Sequence, residues 1–325
     1  MKTKNTLSKS QKALQILWDT WCIVSIVGIW PRFIEYRLLS TTNTQFQIPS
    51  LPKELEGLKI LQFSDLHLNE TIKDSFLEKV IKKTKEISPD IIVFTGDFLS
   101  YALLDNPKRL QKFLNSFNAP FGCYAILGNH DYQTYASINK EGDYDISNAS
   151  QPLSRGLKRL WYTPTISKNV TPRAKATPPK QELIELLKQT PFKLLCNETQ
   201  LIPIRNSHIN ISGLGEHMLG HCLPEKAFKN YDPRFPGIIL CHNPDGIPNL
   251  KDYPGDVILC GHTHGGQINI PGLCKKFMIL ENPQFKRGLF KIKNKWAYIN
   301  RGIGSSMQFR WFSIPEISVF TLKSK

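Results

Sequence analysis

The chain has 325 residues, 41% of them hydrophobic and 21% charged, which is enough for one large domain or two ordinary ones and excludes a disordered or collagen-like chain. Lys and Arg number 42 against 27 Asp and Glu, and the resulting +15 favours anionic partners: phosphate esters, nucleic acid or acidic lipid headgroups. The seven cysteines, Cys22, Cys123, Cys196, Cys222, Cys241, Cys260 and Cys274, are odd in number and far apart. They form no CxxC pair, which excludes a zinc ribbon, argues against a disulfide scaffold and fits reduced thiols in the cytoplasm.

Residues 1–40 read as a separate segment. Lys2, Lys4, Lys9 and Lys12 precede an apolar stretch over residues 13–30, closed by Pro31 and Arg32. Its unbroken part, residues 21–30, falls short of the roughly 20 apolar residues a bilayer span needs. Extending it back to Leu14 places Asp19 inside, at a cost of about 3 kcal/mol. No small-x-small cleavage site follows. Trp18, Trp21 and Trp30 with flanking lysines predict a helix lying in the headgroup layer as a peripheral anchor; an ordinary helix packed on the domain is the alternative.

From residue 50 to 325 a single domain is expected. Residues 58–64, 91–95 and 123–127 read as buried strands, and residues 74–87 and 107–116 as helices, the first stopped by Pro89. Shorter apolar strands follow at 208–213, 237–241, 256–260, 295–300 and 317–322. Strands alternating with helices, then strands with few helices, predict an α/β sandwich of two facing sheets. Between them, residues 132–190 break the pattern as an insert or lid. Within it, residues 151–180 hold five prolines, seven basic residues and no acid. Such a stretch inside a domain reads as a lid or a disordered insert, and its cluster of Leu153, Leu157, Leu160, Trp161 and Tyr162 is too apolar for a plain linker.

The polar signals fall just past these strands, where α/β sheets place ligands. Asp65-Leu66-His67 offers two ligand types at i and i+2, able to grip one metal ion. Gly96-Asp97 follows the second strand, the glycine permitting a tight turn. Gly128-Asn129-His130-Asp131 follows the third. Cys241-His242-Asn243-Pro244-Asp245 and Gly261-His262-Thr263-His264-Gly265-Gly266 follow two later strands. Five of the eight histidines sit in these motifs; His208, His217 and His221 lie outside. Singly, each motif is more often a capped turn or a satisfied core histidine. Together and in this order they point to a pair of divalent ions held by carboxylate, imidazole and amide groups, with no cysteine to suggest a structural zinc cage.

These five blocks, in this order and ending in Gly261-His262-Thr263-His264-Gly265-Gly266-Gln267, resemble the calcineurin-like metallophosphoesterases over residues 58–322, the insert excepted. The resemblance implies a four-layered α/β/β/α sandwich with a two-metal centre. Asp65, His67 and His264 would hold the first ion and Asn129, His242 and His262 the second. Asp97 would bridge both, and His130 matches the family's catalytic histidine. Mn²⁺ is the expected metal, with Mg, Fe and Zn open. The chemistry agrees: a carboxylate can bridge two ions, and Asn129 can ligate through a carbonyl without adding charge. His130, beside a ligand, can donate a hydrogen bond or proton to the ester. Asp131 would orient that ring or serve as a helix N-terminal carboxylate.

Residues 300–306 and 314–318, with Thr263 to Gln267, are similar to a membrane-associated bacterial branch. Some of its members hydrolyse the pyrophosphate of UDP-2,3-diacylglucosamine to UMP and 2,3-diacylglucosamine 1-phosphate in lipid A synthesis. That implies a lipid- or nucleotide-linked phosphoester substrate and an anionic membrane surface as partners, at the cytoplasmic face of the bacterial inner membrane. A metallophosphodiesterase acting on another small or cyclic phosphodiester is the alternative. No nucleic-acid motif and no obligate protein partner is evident. Substrate contacts are expected from Arg155, Arg159 and Trp161 in the insert, from Glu216 and from Arg301. Glu216 stands where the branch usually has Asp in a Gly-x-x-Asp loop. His217 and His221 read as surface histidines on a loop, and Arg310, like Arg301, as a residue able to contact phosphate or the acylated sugar, with an ordinary surface arginine as the alternative. A fold kept only as a binding scaffold is disfavoured because every ligand position is filled.

Overall fold

The centre of the molecule is built from strands buried on both faces. In β2 (Lys59–Phe63) and β3 (Ile91–Thr95) consecutive apolar side chains point alternately to two different cores, the pattern of a parallel sheet covered on each side. Ile60, Ile91 and Val93 face one cluster, and Leu61, Ile92 and Phe94 the other. The computed structural model describes residues 8–147, 165–270, 280–305 and 307–325.

Among the described residues two six-stranded sheets face each other. The first has the order β1 (Ser40–Ile48), β14 (Glu316–Ser324), β2, β3, β4 (Cys123–Ile126) and β7 (Phe192–Leu194). The second has the order β12 (Gly288–Ile292), β13 (Lys295–Ile299), β11 (Val257–Cys260), β10 (Gly237–Leu240), β9 (Ser207–Gly213) and β8 (Glu198–Ile204). Between the sheets lie Ile126, Ile238, Leu240, Val257, Leu259 and Phe320. Outside the first sheet pack α2 (Asp74–Ile87) and α3 (Pro107–Leu114); outside the second, short helices bring Ala227, Ile247 and Leu250 against Ile239 and Ile258. This is the expected α/β/β/α sandwich.

Helix α2 has the expected boundaries. It buries Phe76, Leu77, Val80 and Thr84 on one stripe and ends at Ser88 in the left-handed region, with Pro89 unable to continue it. Strand β1 had no apolar run to announce it. It is a polar edge strand paired in parallel with β14, and only Phe46 and Ile48 are buried.

The N-terminal segment differs from the expectation of a short apolar run. It forms one helix over Lys9–Arg37, 29 residues long, opened by a Ser8–Gln11 capping box. The regular α-helix α1 (Lys9–Val24) passes into wider turns through Pro31. At about 1.5 Å per residue the whole reaches on the order of 40 Å. Leu14, Ile16, Leu17, Trp18, Trp21, Ile23 and Ile26 are all exposed, so the alternative of a helix packed on the domain does not hold. Only the foot is seated: Pro31 and Glu35 are buried.

Where it is described, the insert carries regular structure. A hairpin of β5 (Tyr135–Ile138) and β6 (Tyr144–Ser147) and helices Pro172–Lys175 and Gln181–Leu187 fill it. Elements of four to seven residues leave no long periodic signature, which is why the pattern looked broken. Residues 148–164, with Arg155, Arg159 and Trp161, lie outside the described residues.

Candidate metal centre

The motif loops meet because the strands that carry them end at one edge. The loops after β2 and β3 run side by side: Asp65 N–H donates to Gly96 O at 2.9 Å, His67 N–H to Asp97 O at 3.0 Å and Leu68 N–H to Phe98 O at 2.9 Å. His262 N–H donates to Asp65 Oδ1 at 2.9 Å, and His130 N–H to Asp97 Oδ1 at 2.8 Å. Space is tight enough to require glycine at Gly128, where a Cβ would stand 2.3 Å from Asp97 Oδ1. Asp65, His67, Asp97, His262 and His264 all adopt positive φ between 46° and 70°. That many strained non-glycine residues persist only where the surroundings over-determine them.

Among the described residues the donor atoms converge in three overlapping groups, Asp65–His67–His264, Asp97–His242–His262 and His67–Asp97–His130, the atoms within each group lying within 4.8 Å of one another. Asp97 Oδ2 stands 3.4 Å from His67 Nε2 and 3.2 Å from His242 Nε2, a bridging position between the first two groups. Asn129 Oδ1 lies 3.1 Å from His242 Nε2 and 2.9 Å from His262 Nδ1. The outer atoms fix which way these groups point. His67 Nδ1–H donates to Leu99 O at 3.0 Å and His242 Nδ1–H to Thr95 O at 2.6 Å, so each Nε2 faces inward. Asn129 Nδ2 donates to Ala136 O at 3.1 Å, which turns its carbonyl oxygen inward too.

The Nε2 atoms of His67 and His264 are 3.0 Å apart; His264 Nδ1 accepts from Arg310 Nη2 at 3.2 Å, so the proton of a neutral His264 sits on Nε2 and points at the His67 lone pair. Burial pushes His67 down to about 4 and His262 down to about 3, and burial together with His67 and Arg310 keeps His264 low. Neutral imidazoles are the ligand form. His242 is shifted the other way: burial lowers it, but the Asp97 carboxylate beside it, with Glu216 and Asp65, outweighs burial and holds it well above its usual range. Burial raises Asp97, but the imidazoles of His242, His130 and His67 outweigh it and hold the carboxyl well below its usual range. Such a set fits divalent cations held by oxygen and nitrogen.

His130 takes a different posture. Its Nδ1 accepts from Tyr101 N–H at 2.8 Å, so a neutral ring carries its proton on Nε2, where it can donate. The ring stacks on Tyr135 at 5.1 Å and lies edge-on to His67 at 4.6 Å. Asp131 plays neither of its expected roles. It accepts from the backbone N–H of Asp97 at 2.7 Å, Leu99 at 3.0 Å and Gly128 at 2.9 Å, bracing the bridging-carboxylate loop instead of the histidine ring.

The other expected contacts are placed less directly. Arg301 is half-buried, its Nε 3.1 Å from Glu316 Oε2 and its Nη2 2.9 Å from Ser40 Oγ, so its guanidinium ties β1 to β14. Glu216 is buried, its Oε1 accepting from Met218 N–H at 3.1 Å, and burial pushes its carboxyl up. His217 and His221 do lie on a loop, but both are engaged: His217 Nε2 with Glu281 Oε1 at 3.0 Å and His221 Nε2 with Lys175 O at 2.9 Å. Arg310, read as a contact to phosphate or the acylated sugar or else as a surface arginine, is fully buried. It donates to Arg301 O at 2.8 Å, Ser313 O at 3.0 Å and the carbonyls of Gly302 and Gly304, with Nη2 3.2 Å from His264 Nδ1. Nothing in a lone Phe309-Arg310-Trp311 announces this.

Residues 58–266 match the calcineurin-like phosphoesterase family. The chain is 42% identical over 306 residues to the UDP-2,3-diacylglucosamine pyrophosphatase LpxG of Chlamydia muridarum, covering 90% of this chain and 92% of that one. It is 42% identical over 304 residues to LpxG of Chlamydia trachomatis, with the same coverage of 90% and 92%. The metallophosphoesterase YkuE of Bacillus subtilis is 30% identical over 301 residues, 90% of this chain and 88% of that one. With a matching family over most of its length and a buried Asp/His donor set at its strand ends, this chain belongs to the calcineurin-like phosphoesterases and is a metal-dependent phosphohydrolase.

Proposed function

We propose that the protein hydrolyses the pyrophosphate of UDP-2,3-diacylglucosamine, giving UMP and 2,3-diacylglucosamine 1-phosphate. The observation that carries this reading is the 42% identity to the two chlamydial pyrophosphatases over nearly the whole of each chain. Asp65, His67 and His264 would hold one ion, Asn129, His242 and His262 the other, and Asp97 both. Manganese suits the carboxylate, imidazole and amide set, with Mg, Fe and Zn as competitors. Bound there, the ions supply Lewis-acid stabilisation of the phosphoryl oxygens. His130 Nε2–H is poised to donate to a phosphoryl or leaving-group oxygen.

In this reading residues 1–40 hold the enzyme on the cytoplasmic face of the bacterial inner membrane, where a two-chain lipid resides. The support is the exposed helix Lys9–Arg37, whose tryptophans suit the interface and whose continuous length also admits a span. Residues 132–190 form a covering insert in the same domain. Glu216 and Arg301 act, in view of their contacts, by shaping the site rather than by touching phosphate.

The test is hydrolysis of UDP-2,3-diacylglucosamine and of simple phosphodiesters with Mn, Mg, Fe and Zn, following UMP. UMP release from the lipid is expected. Cleavage of small or cyclic phosphodiesters with the lipid left intact would replace this reading by the phosphodiesterase alternative. Removing residues 1–29, which spares Glu35, is expected to release the protein from membranes and preserve turnover of a soluble chromogenic diester.

A further inference from the structure

Two cavities open side by side at the foot of the N-terminal helix. The first, about 180 Å³, has Ile72, Phe76 and Ile303 on its walls and Arg37, Lys73 and Lys79 around them. The three apolar residues are buried and the three cations exposed, so the floor is hydrocarbon and the rim is charged. The second, about 370 Å³, is lined by polar groups that include Arg32, Asn69, Ser100 and Tyr101. Thr71 and Gln308 belong to both, which makes the two one trough. Together they have the size of a small-molecule site.

The trough's walls are the segments that hold the metal centre. Tyr101 N–H donates to His130 Nδ1 at 2.8 Å, and Asn69 Nδ2 donates to His67 O at 2.9 Å. Gly304, beside Ile303, gives its N–H to Asp65 O at 2.8 Å. The opposite wall is the helix foot, where Arg32 Nη1 donates to Gln308 O at 2.9 Å. Just above it Trp30, Phe33 and Ile34 expose their side chains.

We infer that this trough is the subsite for the acylated sugar of the lipid substrate. The polar half, against His130, takes the glucosamine ring. The apolar half takes one acyl chain, which keeps hydrocarbon contact along the exposed helix as it leaves the bilayer. The cations at the rim sit where headgroup phosphates lie. The polar nucleotide gains nothing from a hydrocarbon floor or from proximity to an apolar helix, so the geometry favours the acyl end here. This assignment rests on the proposed pyrophosphatase reading.

Ser75 lies on the apolar pocket, exposed in the first turn of α2, and outside the metal centre. In the full-length protein in mixed micelles, Ser75→Trp is expected to raise KM for the long-chain substrate by about tenfold with kcat unchanged, the mark of lost uniform binding. KM for a diacetyl homologue and for a soluble chromogenic diester should stay within about twofold. A photoreactive group at the acyl terminus should label peptides containing Ile72, Phe76 or Ile303. Unchanged long-chain KM, an equal loss with both chain lengths, or labelling confined to residues 148–164 would overturn the subsite and leave the activity standing. A wild-type enzyme inert to the lipid would overturn the activity, and the subsite with it.

Discussion

The two sheets hold their converging Asp and His side chains in different ways. On the first sheet Asp65, His67 and Asp97 are braced by their own neighbours: the two loops exchange backbone hydrogen bonds, and Asp131 collects three N–H groups from the same region. On the second sheet His264 hangs from a distant segment. Ser313 Oγ donates to His264 O at 2.5 Å, and Arg310 reaches its ring at 3.2 Å. That segment is itself fastened to the helix foot: Arg310 N–H donates to Pro31 O at 3.0 Å, and the buried Glu35 accepts from Phe312 N–H at 3.0 Å and Ser313 N–H at 2.5 Å. One half of the centre is therefore local and self-supporting. The other depends on residues near both ends of the chain, so the exposed N-terminal helix and His264 share one joint.

Substitutions can break this comparison at either half. The largest effect is expected from Asp97→Ala, which removes the carboxylate between the two groups: metal content and turnover should fall together. Elemental analysis showing full occupancy with normal turnover would remove Asp97 from the centre. Next, His130→Ala should lower kcat by about 10²–10⁴ with both metals retained. Loss of one metal equivalent would make His130 a ligand, and an unchanged kcat would remove it from the chemistry.

Arg310→Met tests the borrowed half. It leaves several buried carbonyls without donors, at a cost of about 1–3 kcal/mol each when unrelieved. The ion bound by Asp65, His67 and His264 should weaken first, seen as one weak and one unchanged metal equivalent in titration of the folded protein. Equal weakening of both would mean that the halves are not separable. Glu35→Gln, which keeps one acceptor for the 312–313 backbone, should give the smallest effect. A loss of about 1–2 kcal/mol is expected in thermal unfolding, with metal content intact. If metal is lost as well, the helix foot governs the centre more tightly than the hydrogen bonds suggest.

The amino-acid sequence by itself specified the layered α/β architecture, the boundaries of α2, and which Asp, His and Asn side chains converge at the strand ends. It could do so because buried parallel strands write continuous apolar runs, and because each converging donor follows closely on such a run. A short motif is enough when strand and ligand are neighbours in the chain. Tertiary structure alone decided the rest. Asp131 serves backbone donors rather than a ring, Tyr101 sets the tautomer of His130 through a main-chain N–H, and Arg310 is interior. The N-terminal segment is one long helix whose foot reaches the ligand loop. These outcomes rest on backbone carbonyls and amides, which every residue carries alike, and on contacts between Glu35 or Pro31 and residues 310–313. No local pattern encodes a partner that distant, so only the folded chain could assign it.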